Sequence, residues 1–197
     1  MSGSRNVEKI LERTSALLTG HFLLSSGKHS EGYVQCARAL EHPNDGAALG
    51  AELATRLAEL GVERVVSPPL GALLIGYEVA RGLGVPFSFP ERADDGGFCF
   101  RRGFEIRPGE RIAVVEDVIT TGRTTAELLE AMSNLKAEVV ALGAIVDRSS
   151  AHEVRGTPIV SLLRLQFPTY DAADCPLCES GDKPTKPGSR KDPEVKT

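Results

Sequence analysis

The stretch VVEDVITTGRTT, residues 114–125, decides the fold of this chain. Its apolar start reads as a β-strand that runs into two adjacent acids, Glu116 and Asp117. Val118 and Ile119 then lead to a loop of Thr120, Thr121, Gly122 and Arg123, and a helix is expected to open at Thr124. Thr124 and Glu127 stand at S/T-x-x-E spacing, which makes Thr124 the expected cap. Such a helix start offers unpaired backbone N–H groups and the positive end of the helix dipole, which suit a phosphate. Gly122 allows close backbone approach, the threonine hydroxyls add donors, and Arg123 adds a local cation. Ligands of open parallel sheets sit beyond the carboxyl ends of the strands, where Glu116 and Asp117 fall. Carboxylates there accept hydrogen bonds from sugar hydroxyls or help hold a metal with phosphate oxygens. Alternation along a strand lets both acids face one ligand only if the strand is already ending.

Outward from this stretch the pattern alternates. Residues 63–67 are β-branched, 72–83 have helical spacing, and 86–89 read as a short strand. After the strand at 111–116 and the helix at 124–135 comes a long strand at 138–147, with a last strand at 159–165. Strands that are almost continuously apolar, alternating with helices, argue for a parallel sheet covered on both faces. Upstream, residues 7–18 have amphipathic helical spacing. Residues 21–39 hold short apolar pieces broken by SSGKHS, read as strands joined by a polar turn. A second helix is expected from Pro43-Asn44-Asp45 to Leu60, before Gly61. Residues 91–103 are polar, charged and glycine-containing, the composition of a long surface loop or lid. Residues beyond Cys178 are rich in Pro, Lys and Ser, and a flexible tail is expected over 179–197 after a single domain over 1–178.

The chain has 197 residues, 41% of them hydrophobic and 25% charged, with 23 Lys+Arg against 27 Asp+Glu and a net charge of −4. This excludes a disordered protein, a collagen and a coiled coil. No apolar run approaches the ~20 residues of a membrane helix, and the N-terminus lacks an apolar signal core, so a cytoplasmic location without membrane contact is expected. Net acidity argues against nucleic acid as a partner and requires that cations for an anionic ligand be local. Cys175 and Cys178 form a single C-x2-C. A structural zinc site needs four ligands, and no second pair at suitable spacing accompanies it, so two reduced thiols in a turn are the main expectation, with a zinc site and a redox disulfide as the lesser alternatives.

The 114–125 stretch resembles the phosphoribosyl pyrophosphate signature of the type I phosphoribosyltransferases, and it lacks the G-K-[ST] of a Walker loop. Within that superfamily, GHFLLSSGKHSEGYV (20–34), FRRGFEIRPGERIAVVEDVITTG (100–122) and CPLC…KPGSR resemble the orotate-using branch, the likeness covering roughly residues 10–190. The resemblance implies an α/β fold: a parallel sheet flanked by helices, with a small hood over the base site formed mainly by about residues 1–40 and a C-terminal segment. It also implies a pentosyltransferase of UMP synthesis. Orotate would attack the anomeric carbon of 5-phosphoribosyl 1-pyrophosphate with inversion, giving orotidine 5′-monophosphate and pyrophosphate through an oxocarbenium-like transition state.

Laid on residues, the resemblance implies that Glu116 and Asp117 hold the ribose hydroxyls, Val118 and Ile119 belonging to the same segment. Thr120, Thr121, Gly122, Arg123 and Thr124 would hold the 5′-phosphate, and Pro69, Leu70 and Gly71 the pyrophosphate. Ser26, Gly27, Lys28, Tyr33 and Thr120 would line the orotate pocket, with Arg148 reading the carboxylate through its planar fork. Arg92 and Asp117 are the implied catalytic residues. Mg²⁺ would be the cofactor, carried mainly by the substrate with Asp117 as its protein ligand. A homodimer is implied too, since the family's mobile loop completes the neighbour's site. Two departures stand out: Ser25 occupies the place of a family lysine, so that either Lys28 substitutes or that contact is absent, and the 91–103 loop carries Arg92, Arg101 and Arg102 around an acidic, glycine-containing tip. Two alternatives stay open: transfer to a purine or uracil, and a non-catalytic regulator that senses phosphoribosyl pyrophosphate.

Overall fold

Apolar side chains of the central strand, Arg111–Ile119, divide between two layers: Ala113 and Val115 join one buried cluster, Ile112 and Val114 the other. A strand buried on both faces needs helices on both faces, which the chain supplies. The computed structural model describes residues 2–24, 26–94 and 96–187, so Met1, Ser25, Asp95 and 188–197 lie outside the described residues.

In chain order the elements are α1 (Ser2–Arg13), β1 (Leu17–Leu23), β2 (His29–Val34), α2 (Ala37–Leu40), α3 (Pro43–Leu57), β3 (Arg64–Val66), α4 (Leu73–Leu83), β4 (Phe87–Ser88), β5 (Glu91–Arg92) and β6 (Phe98–Cys99). Then follow β7 (Arg111–Ile119), α5 (Arg123–Asn134), β8 (Glu138–Asp147), β9 (Glu153–Val154), β10 (Thr157–Arg164), β11 (Thr169–Tyr170) and α6 (Pro176–Glu179). The main sheet has six strands in the order β4-β3-β7-β8-β10-β9, parallel except where β9 meets β10. Residues of α1, α3 and α4 fill one buried cluster, and Leu128, Leu129 and Met132 of α5 fill the other. Helices α3 and α4 pack closely enough that a Cβ on Gly50 would lie 2.3 Å from that of Glu78. β1, β2 and β11 form a separate antiparallel sheet, the hood.

Several boundaries differ from expectation. The first helix ends at Arg13 and a strand begins at Leu17, with Ser15 at φ 53 making the turn. β7 runs on through both acids to Ile119. Helix α5 opens at Arg123 behind Gly122, whose φ of 70 breaks the strand direction, and no side-chain bond caps it. Thr124 therefore sits inside the first turn rather than capping it. The 91–103 excursion contains the short β5–β6 ribbon. The expected tail is tied down as far as it is described: Thr185 N donates to His21 O (2.9 Å) and Leu23 N to Thr185 O (2.8 Å).

Candidate functional site

The carboxyl ends of β7 and β8 and the hood sheet enclose an open cavity of about 790 Å³. Its wall includes Asp117, Thr120 and Thr121 from the β7–α5 junction, Arg148 after β8, and Ser26 and Tyr33 from the hood. With Val118 of the same junction, seven of the residues singled out in the sequence are thus brought to one space of a size suited to a small-molecule ligand.

The acids come first. Asp117 lines the cavity, and its Oδ1 accepts from Val118 N at 2.9 Å. Its other oxygen lies so close to Gly71 that a Cβ there would meet it at 3.1 Å. The 69–71 loop, expected 45 residues upstream to take pyrophosphate, therefore borders the signature acid. Glu116 is buried and is not among the cavity-lining residues. Neither acid forms an ion pair among the described residues. Burial, with the neighbouring Asp117 charge second, pushes the Glu116 carboxyl up to about 8, and burial also raises Asp117.

A raised carboxylate has a definite effect on stability. The folded chain keeps a proton on Glu116 that the unfolded chain gives up from its ordinary value of 4.5, so this contribution is intact below that value and is lost as pH rises toward 8. In metal-free, substrate-free protein, Glu116→Gln is expected to unfold near the wild-type temperature at about pH 4 and increasingly above it toward about pH 8.5. Calorimetric scans across that window check this; a variant that falls further below wild type as pH rises would contradict it.

The phosphate-facing loop follows. Thr120 and Thr121 line the cavity, whereas Gly122, Arg123 and Thr124 do not. At Gly122 the left-handed φ would strain any side chain, and a Cβ would also crowd Val154 at 3.1 Å. Glu127, on the next turn of α5, holds Arg123 (3.1 Å) and Arg92 (2.7 Å) together. Arg92 also donates to Gly96 O and lies over the Phe98 ring at 4.1 Å, while Arg101 and Arg102 pair with Glu91. In this structure, then, the loop arginines are held on the ribbon and α5 and do not reach the cavity.

The base end is built around Arg148. Its backbone N–H donates to Ile119 O at 2.8 Å, binding the β8 exit to the β7 exit. Its guanidinium lies 4.9 Å from the centre of the Phe167 ring, and its Nε is buried without a hydrogen-bond partner among the described residues. Burial lowers its pKa from the usual guanidinium value, which marks a cation lacking compensation. Tyr33 stands on the same wall, and Gly32 beside it is required because a Cβ there would lie 2.4 Å from Phe167. Gly27 and Lys28, expected at the base, are not part of the wall; Lys28 Nζ is 3.0 Å from Asp171 Oδ1, which draws it to the hood's outer edge.

Some site residues escape sequence reasoning. Gln166, Phe167, Thr169 and Lys186 also line the cavity, from a C-terminal stretch without clear periodicity. Asp147, fully buried, accepts from Arg164 (2.9 and 2.6 Å) and from the backbone and hydroxyl of Ser149 (2.8 and 2.6 Å), fixing the loop that carries Arg148. The D-x-S spacing of DRS, a side chain bonding two residues on, is the local signal that could have found it.

Comparison with known proteins follows this geometry. A family model described as "Phosphoribosyl transferase domain" matches residues 44–173. An orotate phosphoribosyltransferase of Thermotoga maritima is 50% identical over 184 residues, covering 93% of this chain and 98% of the relative. The crystal structure of an orotate phosphoribosyltransferase from Aeropyrum pernix is similar with a TM-score of 0.69 at 25% identity, over 81% of this chain and 93% of that one. That of the Mycobacterium tuberculosis enzyme in complex with inorganic phosphate gives 0.68 at 25% identity, over 84% and 97%. Among the described residues no helix is long and apolar enough to cross a membrane.

Proposed function

The chain belongs to the type I phosphoribosyltransferases and, within them, to the orotate phosphoribosyltransferases, and from that premise we propose how its cavity carries out the transfer. The reaction joins orotate to 5-phosphoribosyl 1-pyrophosphate, yielding orotidine 5′-monophosphate and pyrophosphate for UMP synthesis. One observation carries the choice of base: Arg148, a half-buried cation with an unpartnered Nε on the wall between Tyr33 and Phe167. A guanidinium in that state calls for a carboxylate, which orotate has and uracil or hypoxanthine lacks.

In the proposed mechanism, orotate rests its carboxylate on Arg148 and its ring against Tyr33. The 5′-phosphate takes the hydroxyls of Thr120 and Thr121 and the backbone N–H groups at the start of α5. Asp117 accepts hydrogen bonds from the ribose hydroxyls, and the adjoining 69–71 loop leaves room for pyrophosphate. As the anomeric bond to pyrophosphate breaks, positive charge grows on the ribose, where the Asp117 carboxylate, backed by Glu116, stabilises it. A ring nitrogen of orotate attacks from the opposite side, inverting the anomeric carbon. Orotate is already anionic, so no strong general base is required.

The family's dependence on a divalent metal fits Asp117: its carboxyl lines the cavity without an ion pair among the described residues and offers hard oxygen donors of the kind Mg²⁺ takes. Asp117 would be the protein residue that holds it, and the positive charge it would supply at the pyrophosphate would ease that group's departure. Arg92 is assigned to pyrophosphate on closure of the 91–103 ribbon. Its exposed pair with Glu127 is of a kind worth only ~0–1 kcal/mol, so release costs little. A homodimer is supported by Leu70, Leu74 and Tyr77, large apolar residues exposed beside the pyrophosphate loop. Sedimentation at micromolar concentration should return the dimer, and monomer alone would remove it. Four cysteines outside any disulfide support a cytoplasmic setting.

Base competition tests the assignment. Orotate is expected to bind roughly tenfold to a hundredfold more tightly than uracil or hypoxanthine, the range of a charge-assisted contact. Titration calorimetry checks it, and equal affinities would mean that the cavity reads another base.

A further inference from the structure

Four side chains that the transfer does not use converge where the hood meets the C-terminal segment. His21 comes from β1, His29 from the start of β2, and Cys175 and Cys178 from the turn around α6. The two cysteines, read in the sequence as lacking a second pair, find it in these two histidines. One potential ligand atom from each of the four residues lies within 4.8 Å of all the others. Nε2 of His21 is 2.8 Å from Nδ1 of His29, 3.5 Å from Cys175 Sγ and 3.8 Å from Cys178 Sγ. Cys178 Sγ is 3.3 Å from His29 Nδ1. His21, His29 and Cys175 are buried, and Cys178 is the most accessible of the four.

Tetrahedral zinc, with Zn–N near 2.0–2.1 Å and Zn–S near 2.3 Å, sets ligand atoms about 3.3 Å (N to N) and about 3.6 Å (N to S) apart. The three nitrogen–sulfur distances bracket the second value, and the nitrogen pair must part by only about half an ångström to reach the first. The hydrogen-bonding arithmetic points the same way. Nδ1 of His21 lies 3.0 Å from the carbonyl oxygen of Asp182, which can only accept, so Nδ1 bears the hydrogen and the neutral ring turns the lone pair of Nε2 inward. One lone pair cannot accept from an imidazole and two thiols at once. A cation at the centre satisfies all four groups, and the Asp182 carbonyl is the outer partner that orients a ligating histidine.

We propose that His21, His29, Cys175 and Cys178 form a closed structural zinc site. The donor set, two imidazoles and two thiolates, supplies all four positions of a tetrahedral site and is of the structural Cys2His2 class rather than the catalytic one. On binding, each cysteine gives its thiol proton to solvent and ligates as thiolate. The site staples the segment after α6 to the hood hairpin. That segment runs on through Thr185, paired with Phe22 and Leu23, to Lys186 and Pro187 on the cavity wall. Zinc thus holds the base end of the cavity together from outside it, separate from the Mg²⁺ of the transfer.

The test reads metal on the full-length protein, whatever its activity. Protein purified without chelator is expected to hold one zinc per chain by plasma mass spectrometry. Protein grown in cobalt in place of zinc is expected to show tetrahedral visible bands with sulfur-to-cobalt charge transfer. A strong chelator should lower the unfolding midpoint, with recovery on adding Zn²⁺ and none on adding Mg²⁺. The double substitution Cys175→Ser, Cys178→Ser should cut zinc to under roughly a tenth of the wild-type content. If that variant does not fold, the wild-type zinc content and the cobalt spectrum decide. Substoichiometric zinc with freely titrating thiols, a Cys175–Cys178 disulfide in the purified chain, or zinc retained by a folded double variant would each overturn the proposal.

Discussion

Arg148→Ala is expected to raise the KM for orotate roughly a hundredfold while moving the KM for phosphoribosyl pyrophosphate less than about threefold, the cost of losing a charge-assisted, fork-shaped contact. The guanidinium is half-buried, its Nε is unpartnered, and in the free protein the Phe167 ring is the partner the structure gives it. Removing it therefore deprives the substrate more than the fold. The stability loss should stay within the ~1 kcal/mol of a cation–π contact, offset by relief of a buried charge. Arg148→Lys should recover little, because an ammonium cannot present two parallel donors. Steady-state kinetics with each substrate varied in turn check this. Equal losses for both substrates would show that Arg148 shapes the whole cavity and does not read the carboxylate.

Asp117→Asn is expected to lower kcat by about 100- to 1000-fold, the scale seen when one preorganised electrostatic contact to developing charge is removed. Asparagine keeps the shape, and its carbonyl can still accept from Val118 N, so geometry is preserved while the charge is lost. Burial makes that charge costly in the free protein, and Glu116 beside it is pushed up to about 8 in part by its presence. The variant should consequently be no less stable than wild type at neutral pH, and more stable above it. Single-turnover rates with both substrates saturating, together with thermal scans, separate the two effects. A variant within about tenfold of the wild-type rate would place the carboxylate away from the developing positive charge.

What the sequence disclosed follows the range of the interactions concerned. β8 spans Glu138–Asp147, the residues read from its apolar run, because a strand buried on both faces writes itself into consecutive positions. The helix before Gly61 was legible at its start, where Pro43 opens it; the α-helix ends at Leu57, and a 3-10 turn, Ala58–Leu60, carries the chain on to Gly61 at φ 62. At the N-terminus, Leu17 and Leu18 satisfy helical spacing, yet they belong to a strand whose partner, β2, lies beyond a turn. Thr124 looked like a cap by spacing, but Gly122 turns the chain two residues earlier, and Glu127 takes Arg92 and Arg123 instead. Within the site, the β7–α5 stretch was local and readable. Phe167 and Lys186 were not, since nothing near them in the chain marks their place on the cavity wall. Lys28 lies off the cavity wall, paired with Asp171, a partner far along the chain that no local pattern announces. The histidines that meet Cys175 and Cys178 are about 150 residues away, beyond any ligand-spacing rule.

The most direct measurement is the initial rate of pyrophosphate release by the purified chain with orotate, phosphoribosyl pyrophosphate and Mg²⁺. Pyrophosphate and orotidine 5′-monophosphate should appear in equal amounts, with no comparable turnover when uracil or hypoxanthine replaces orotate. Absence of turnover at saturating orotate, or faster turnover with another base, would contradict the account.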